Sequence, residues 1–144
     1  MLRNLRQNPL QGVTGVFYIG PVFEPNEVQF GLNMIAAAQR AGVRKFVFSS
    51  VIHPILSLPN HAAKTPVENE LINSDLDYTI LPMRVVSELR APSWERIVET
   101  SCLAEPWSAE TRFSRVDYRD VAEVAAIALT EDRLAYGTFR AVCA

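Results

Sequence analysis

Apolar residues fall in short unbroken runs, separated by stretches in which they recur at helical spacing. Val13 to Ile19 (VTGVFYI) is β-branched and aromatic and stops at Gly20-Pro21, which predicts a buried strand followed by a turn. Val28, Leu32, Ile35 and Ala38 then share one helical face, with Pro25 suited to the first turn and Gly42 to the end. Lys45 to Val51 (KFVFSSV) is a second strand, apolar without alternation, as strands covered on both faces tend to be. His53 to Asn60 holds two prolines and reads as a loop at the carboxyl end of that strand. Thr65-Pro66-Val67-Glu68 reads as a capping box with proline at the first helical position, so Lys64 stands at a helix entrance, even if the helix begins near Ala62 or Ala63. Asp77 to Met83 (DYTILPM) is a third strand, and the strand, helix, strand order with short joints implies parallel pairing.

Beyond Arg84 the pattern weakens. Pro92, Pro106, Trp94 and Trp107 flank a short helix, Trp94 to Leu103. Arg112 to Tyr118 predicts a strand, Asp120 to Leu129 an amphipathic helix with Asp120 as its N-cap, and Gly137 to Val142 a last strand. There are no internal repeats, and the alternation of strands and helices places the chain in the α/β class.

Composition narrows the partners. The 144 residues fit one domain, and 49% hydrophobic with 21% charged residues is ordinary for a globular chain. A formal net charge of −2 without like-charge blocks argues against direct nucleic-acid binding. Cys102 and Cys143 match neither a metal pattern nor a redox pair and read as buried free thiols. The opening MLRNLRQNPLQG has no apolar stretch of signal-peptide length and no run approaches a membrane span, so a cytoplasmic protein is expected.

The candidate chemistry sits at Ser49-Ser50 and at Lys64, fourteen residues after Ser50. In an open α/β sheet ligands gather beyond the carboxyl ends of the strands, where these residues lie. Plainer readings stand beside this one. Serines at a strand end bond to backbone, Lys64 is a solvated lysine, and His53 and His61 are surface or capping residues without a carboxylate or cysteine at ligand spacing. Trp94 and Trp107 read as core aromatics.

The segments AGVRKFVFSSV, NHAAKTPVENEL and SDLDYTIL, followed by RVDYRDVAEVAAIALTEDRLAYGTF, resemble in order the NmrA-like family of atypical short-chain dehydrogenase/reductases, from about Leu10 to Val142. The resemblance implies a Rossmann-type parallel sheet with helices on both faces. It also implies a pocket for NADP or NAD, in a family of redox sensors, co-regulators and NAD(P)H-dependent reductases. By position, Gly20 and Pro21 would border the dinucleotide, Ser49, Ser50 and Val51 would flank the nicotinamide ribose, Lys64 would reach its hydroxyls, and Leu81, Pro82 and Met83 would line the nicotinamide end.

Three departures qualify this. The wider superfamily has a proton-donating tyrosine four residues before the lysine, where this chain has Asn60. Leu81 runs directly into Pro82, where the family reads a glutamine or arginine first. The six glycines are scattered, with no G-x-x-G-x-x-G turn to cradle a diphosphate, so the chain corresponds to the carboxyl-terminal part of the doubly wound fold. Three functions follow as expectations: a regulatory or redox-sensing NAD(P)-binding-type domain with a degenerate catalytic site, a reductase of quinones or small carbonyls, or a partner-dependent fragment without cofactor activity. The strand at Val16–Ile19 would be an apolar sheet edge, suited to a homodimer or another protein partner.

Overall fold

The computed structural model describes residues 9–83, 85–86, 94–103, 108, 110–112 and 115–140. Its centre is a parallel four-stranded sheet in the order β1 (Gly15–Ile19), β2 (Lys45–Val51), β3 (Asp77–Met83) and β6 (Gly137–Thr138). Gly15 to Ile19 lie opposite Lys45 to Ser49, and the whole of β2 lies opposite β3. A separate parallel pair joins β4 (Val85–Val86) to β5 (Arg115–Val116). This is the α/β, Rossmann-type class expected, and β1 is an edge: among the described residues no strand pairs with its outer side.

Helices cover both faces of the sheet, and the alternation of side chains along a strand assigns each residue to one of them. On one face Tyr18, Phe46, Phe48 and Ile80 pack under Ile35 and Ala38 of α1 (Glu27–Ala41) and Val67 and Leu71 of α3 (Lys64–Ile72). On the other, Val47 and Leu81 pack under Ala125 and Ala128 of α5 (Tyr118–Thr130). Being covered twice, β2 is buried at every position but Val51, which explains its unbroken apolar run. Gly42 ends α1 in the left-handed region at φ 70° and donates back to Ala38 and Gln39. Pro25 precedes the cap, Asn26, rather than lying within the helix.

Several expectations are corrected. The loop after β2 contains a helical turn, α2 (Pro59–Ala62), and the capping box does not form. The Thr65 hydroxyl instead donates to the Pro54 carbonyl at 3.2 Å, and Glu68 turns inward to Ser50. The cap of α5 is Asp117, which accepts from the Arg119 N–H at 2.7 Å, leaving Asp120 in the first turn, where a negative charge also suits the helix dipole. That cap ends the strand expected over Arg112 to Tyr118, leaving Arg115–Val116. Helix α4 (Trp94–Thr100) carries Trp94 64% exposed rather than in the core, and Cys102 is an exposed thiol rather than a buried one. Trp107 and Cys143 lie outside the described residues, as do positions 141–142 of the last expected strand. No described helix is long and apolar enough to cross a membrane.

Candidate functional site

Helices α1 and α3 touch where Gly31 meets Val67, so closely that a Cβ on Gly31 would lie 2.5 Å from a Val67 methyl. This contact positions the site. One turn toward each amino terminus stand Glu27 and Lys64, on the same buried stripes as Gly31, Ile35 and Ala38 in α1 and as Val67 and Leu71 in α3. The Lys64 ammonium donates to the Glu27 carboxylate in a buried ion pair, 5.9 Å from the centre of the Phe48 ring. Gly20, just beyond β1, faces the pair: a Cβ there would lie 3.4 Å from Glu27 Oε1 and 3.6 Å from Lys64 Nζ.

Tyr18 stacks on Phe48 with ring centres 5.9 Å apart, and its hydroxyl is buried without a hydrogen-bond partner. Burial, and then the nearby Glu27 carboxylate, raise the pKa of this phenol. Next to the ion pair the Ser50 hydroxyl donates to Glu68, one turn beyond Lys64 on α3. Burial pushes the Glu68 carboxyl above its usual range, and the bond from Ser50 pulls part of the way back.

The residues expected at the site are divided by the sheet. Gly20, Ser50 and Lys64 gather on the α1/α3 side, yet Lys64 and Ser50 have separate partners, Glu27 and Glu68. Leu81 belongs to the core under α5, and Ser49 pairs with it in register on that side. Val51 and Met83 are opposite one another and half-buried, Pro82 lies opposite Ser50, and Pro21 is exposed. Asn60 is in α2, and His53 offers its carbonyl to His61 Nδ1 at 3.1 Å. Among the described residues no cluster of histidine, cysteine or carboxylate side chains could hold a metal.

Sequence reasoning missed Glu27, Tyr18 and Glu68. A signal for Glu27 was present, since it is in phase with Gly31, Ile35 and Ala38 and so falls on the apolar face of α1. Tyr18 and Glu68 had none, because Tyr18 passes for an ordinary strand aromatic and Glu68 for the acid of a capping box.

A model of the NmrA-like family matches residues 3–141. The chain belongs to the NmrA-like family. Among solved structures, this NmrA-like chain is similar to an NADPH-dependent quinone oxidoreductase from Escherichia coli complexed with NADPH, at 24% identity, a TM-score of 0.76 and coverage of 90% of this chain and 46% of that one. Triphenylmethane reductase from Citrobacter sp., complexed with NADP(H), is 19% identical with a TM-score of 0.78, covering 92% and 48%. The Bordetella bronchiseptica enzyme WbmG, in complex with NAD, is 20% identical with a TM-score of 0.67, covering 90% and 50%. The NmrA-like chain thus spans about half the length of these proteins. No curated protein matches it.

Proposed function

We propose that this NmrA-like chain is an NAD(P)-binding-type domain with a regulatory, redox-sensing role in the cytoplasm and a catalytic site too degenerate for turnover of its own. The observation that carries this is the state of Lys64, whose charge is met by Glu27, while the position four residues earlier is Asn60. Reduction of a carbonyl or quinone by this route needs an acid that releases a proton near neutral pH beside the lysine, and an amide has none to give.

The residues present fit the ribose end of a nicotinamide dinucleotide. Gly20 sets no side chain against the buried Lys64 and Glu27, and the Tyr18 hydroxyl has an unfilled hydrogen bond. They do not fit its diphosphate, for which a glycine-rich turn at a helix start is the usual seat and which the six scattered glycines do not supply. The dinucleotide brings hydride chemistry when bound; these side chains bind and orient it. The three solved relatives, held with NADPH, NADP(H) and NAD, support that cofactor class. The edge strand β1 is where a protein partner or second copy would read the bound state.

Steady-state oxidation of NADPH and NADH by the purified chain, with a quinone and an aldehyde as acceptors, tests this. No turnover is expected, and rates on the order of 1 per second or more would restore the reductase reading.

A further inference from the structure

We propose that a cleft between α5 and the β6 edge of the sheet is a binding site for a small amphipathic anion, a medium-chain carboxylate, and that Arg140 is the residue that holds the carboxylate. The cleft is on the opposite face of the sheet from the Lys64–Glu27 pair, so its occupant is separate from the dinucleotide.

Its walls follow from the local structure. Val124 and Ile127 stand about one turn apart on α5, and Leu134 and Phe139 lie on either side of β6. Val124 and Leu134 also pack against Val47, Leu81, Ala125 and Ala128, so the floor of the cleft is part of the folded core. Two contacts with β3 fix the other wall: the Thr79 hydroxyl donates to the Leu134 carbonyl at 2.8 Å, and the Phe139 N–H donates to the Ile80 carbonyl at 2.9 Å. The Phe139 ring folds back over Gly137, where a Cβ would come within 2.5 Å of it, so the glycine makes the space that the ring occupies. The cleft is thus formed without a ligand, and its volume of about 300 Å³ is at the small end of the range for ligand pockets.

The lining selects the occupant. Val124, Ile127 and Leu134 are half-buried while Arg133 and Arg140 are exposed, which puts apolar surface inward and positive charge at the rim. No acidic side chain lines the cleft. Arg133 already has a partner, its Nε lying 2.7 Å from Glu131 Oε2, whereas Arg140 has no ion pair among the described residues. One unmatched guanidinium beside apolar walls suits a ligand with a single negative charge and an apolar body. A carboxylate accepts two parallel N–H bonds from a guanidinium, and each methylene of an alkyl chain gains by leaving water for the walls. Inorganic phosphate has nothing to place against them.

Amide NMR spectra of the isotopically labelled 144-residue chain, titrated with octanoate, octan-1-ol or acetate, test this. Octanoate should bind saturably and shift the amides of Ile127, Leu134 and Phe139. Octan-1-ol keeps the chain without the charge and should bind about tenfold or more weakly, the worth of a charge-assisted hydrogen bond. Acetate keeps the charge without the chain and should not saturate. Arg140→Gln changes an exposed side chain, and should weaken octanoate to the level of octan-1-ol while leaving octan-1-ol unchanged. Equal affinities of the unmodified chain for octanoate and octan-1-ol, undiminished octanoate binding by Arg140→Gln, or no saturation by octanoate would overturn the proposal. Shifts of the same three amides on raising the protein concentration alone would also overturn it, since they would make a second copy the occupant.

Discussion

Lys64 and Glu27 are 6% and 4% exposed, so each depends on the other to remain charged in the interior. Lys64→Met should cost about 3–5 kcal/mol in urea unfolding, because it leaves the carboxylate buried alone, whereas Lys64→Met with Glu27→Leu should recover most of that loss. Equal destabilisation of the single and double variants would show that the pair is not coupled. Glu68 titrates in the opposite sense to a surface acid. Its carboxyl is held above the usual range in the folded chain, so the folded state binds that proton more tightly than the unfolded state. Its contribution is complete below the ordinary carboxylate value and is lost as pH rises through the raised one. Asp132 runs the other way: its bonds from Lys45 and Arg44 lower its pKa, and its contribution is lost as pH falls. Unfolding measured from pH 4 upward should therefore show a decline that Glu68→Gln removes and Asp132→Asn does not. At this scale the sequence disclosed where Lys64 stands but not what it touches, since its partner is 37 residues away on another helix.

The crossing of α1 and α3 is set by Gly31, and this contact places the ion pair. Gly31→Ala has intrinsic helix propensity in its favour, yet its Cβ would run into Val67, and overpacking of this kind costs about 1–3 kcal/mol. Chemical denaturation should show net destabilisation, and a stabilised Gly31→Ala would mean that the helices separate freely. Elements were most legible where burial was continuous. The bounds of β2 and β3, Lys45–Val51 and Asp77–Met83, coincide with their apolar runs because both strands are covered on two faces. The later strands were legible in place rather than in extent, since β5 and β6 fall within the runs expected at Arg112 to Tyr118 and Gly137 to Val142 but are two residues each, paired with β4 and β3. The capping box failed for a tertiary reason: the acid that would have closed it is taken by Ser50, a residue from another element.

At the scale of the whole molecule, the parallel sheet is open at β1 among the described residues, with Ile19 61% exposed at the end of that strand and Val22 and Phe23 exposed just after it. An apolar parallel edge of this kind invites pairing with another chain. Phe17 packs into the core under α5, so the edge is better probed at Ile19. Ile19→Lys should shift the chain toward monomer in sizing at micromolar concentration, and an unmodified chain that is already a stable monomer would contradict a partner at this edge. The α/β class and family membership were readable from ordered motifs spread over most of the chain, whereas the closed state of Lys64 appears only once α1 is folded against α3. NADPH fluorescence titration of the unmodified chain against the Lys64→Met, Glu27→Leu double variant asks whether the dinucleotide proposed for this chain is held at the Lys64–Glu27 pair. Saturable binding is expected for the former and at least a tenfold loss for the latter with the fold retained; equal affinities, or no binding by the unmodified chain, would rule that contact out.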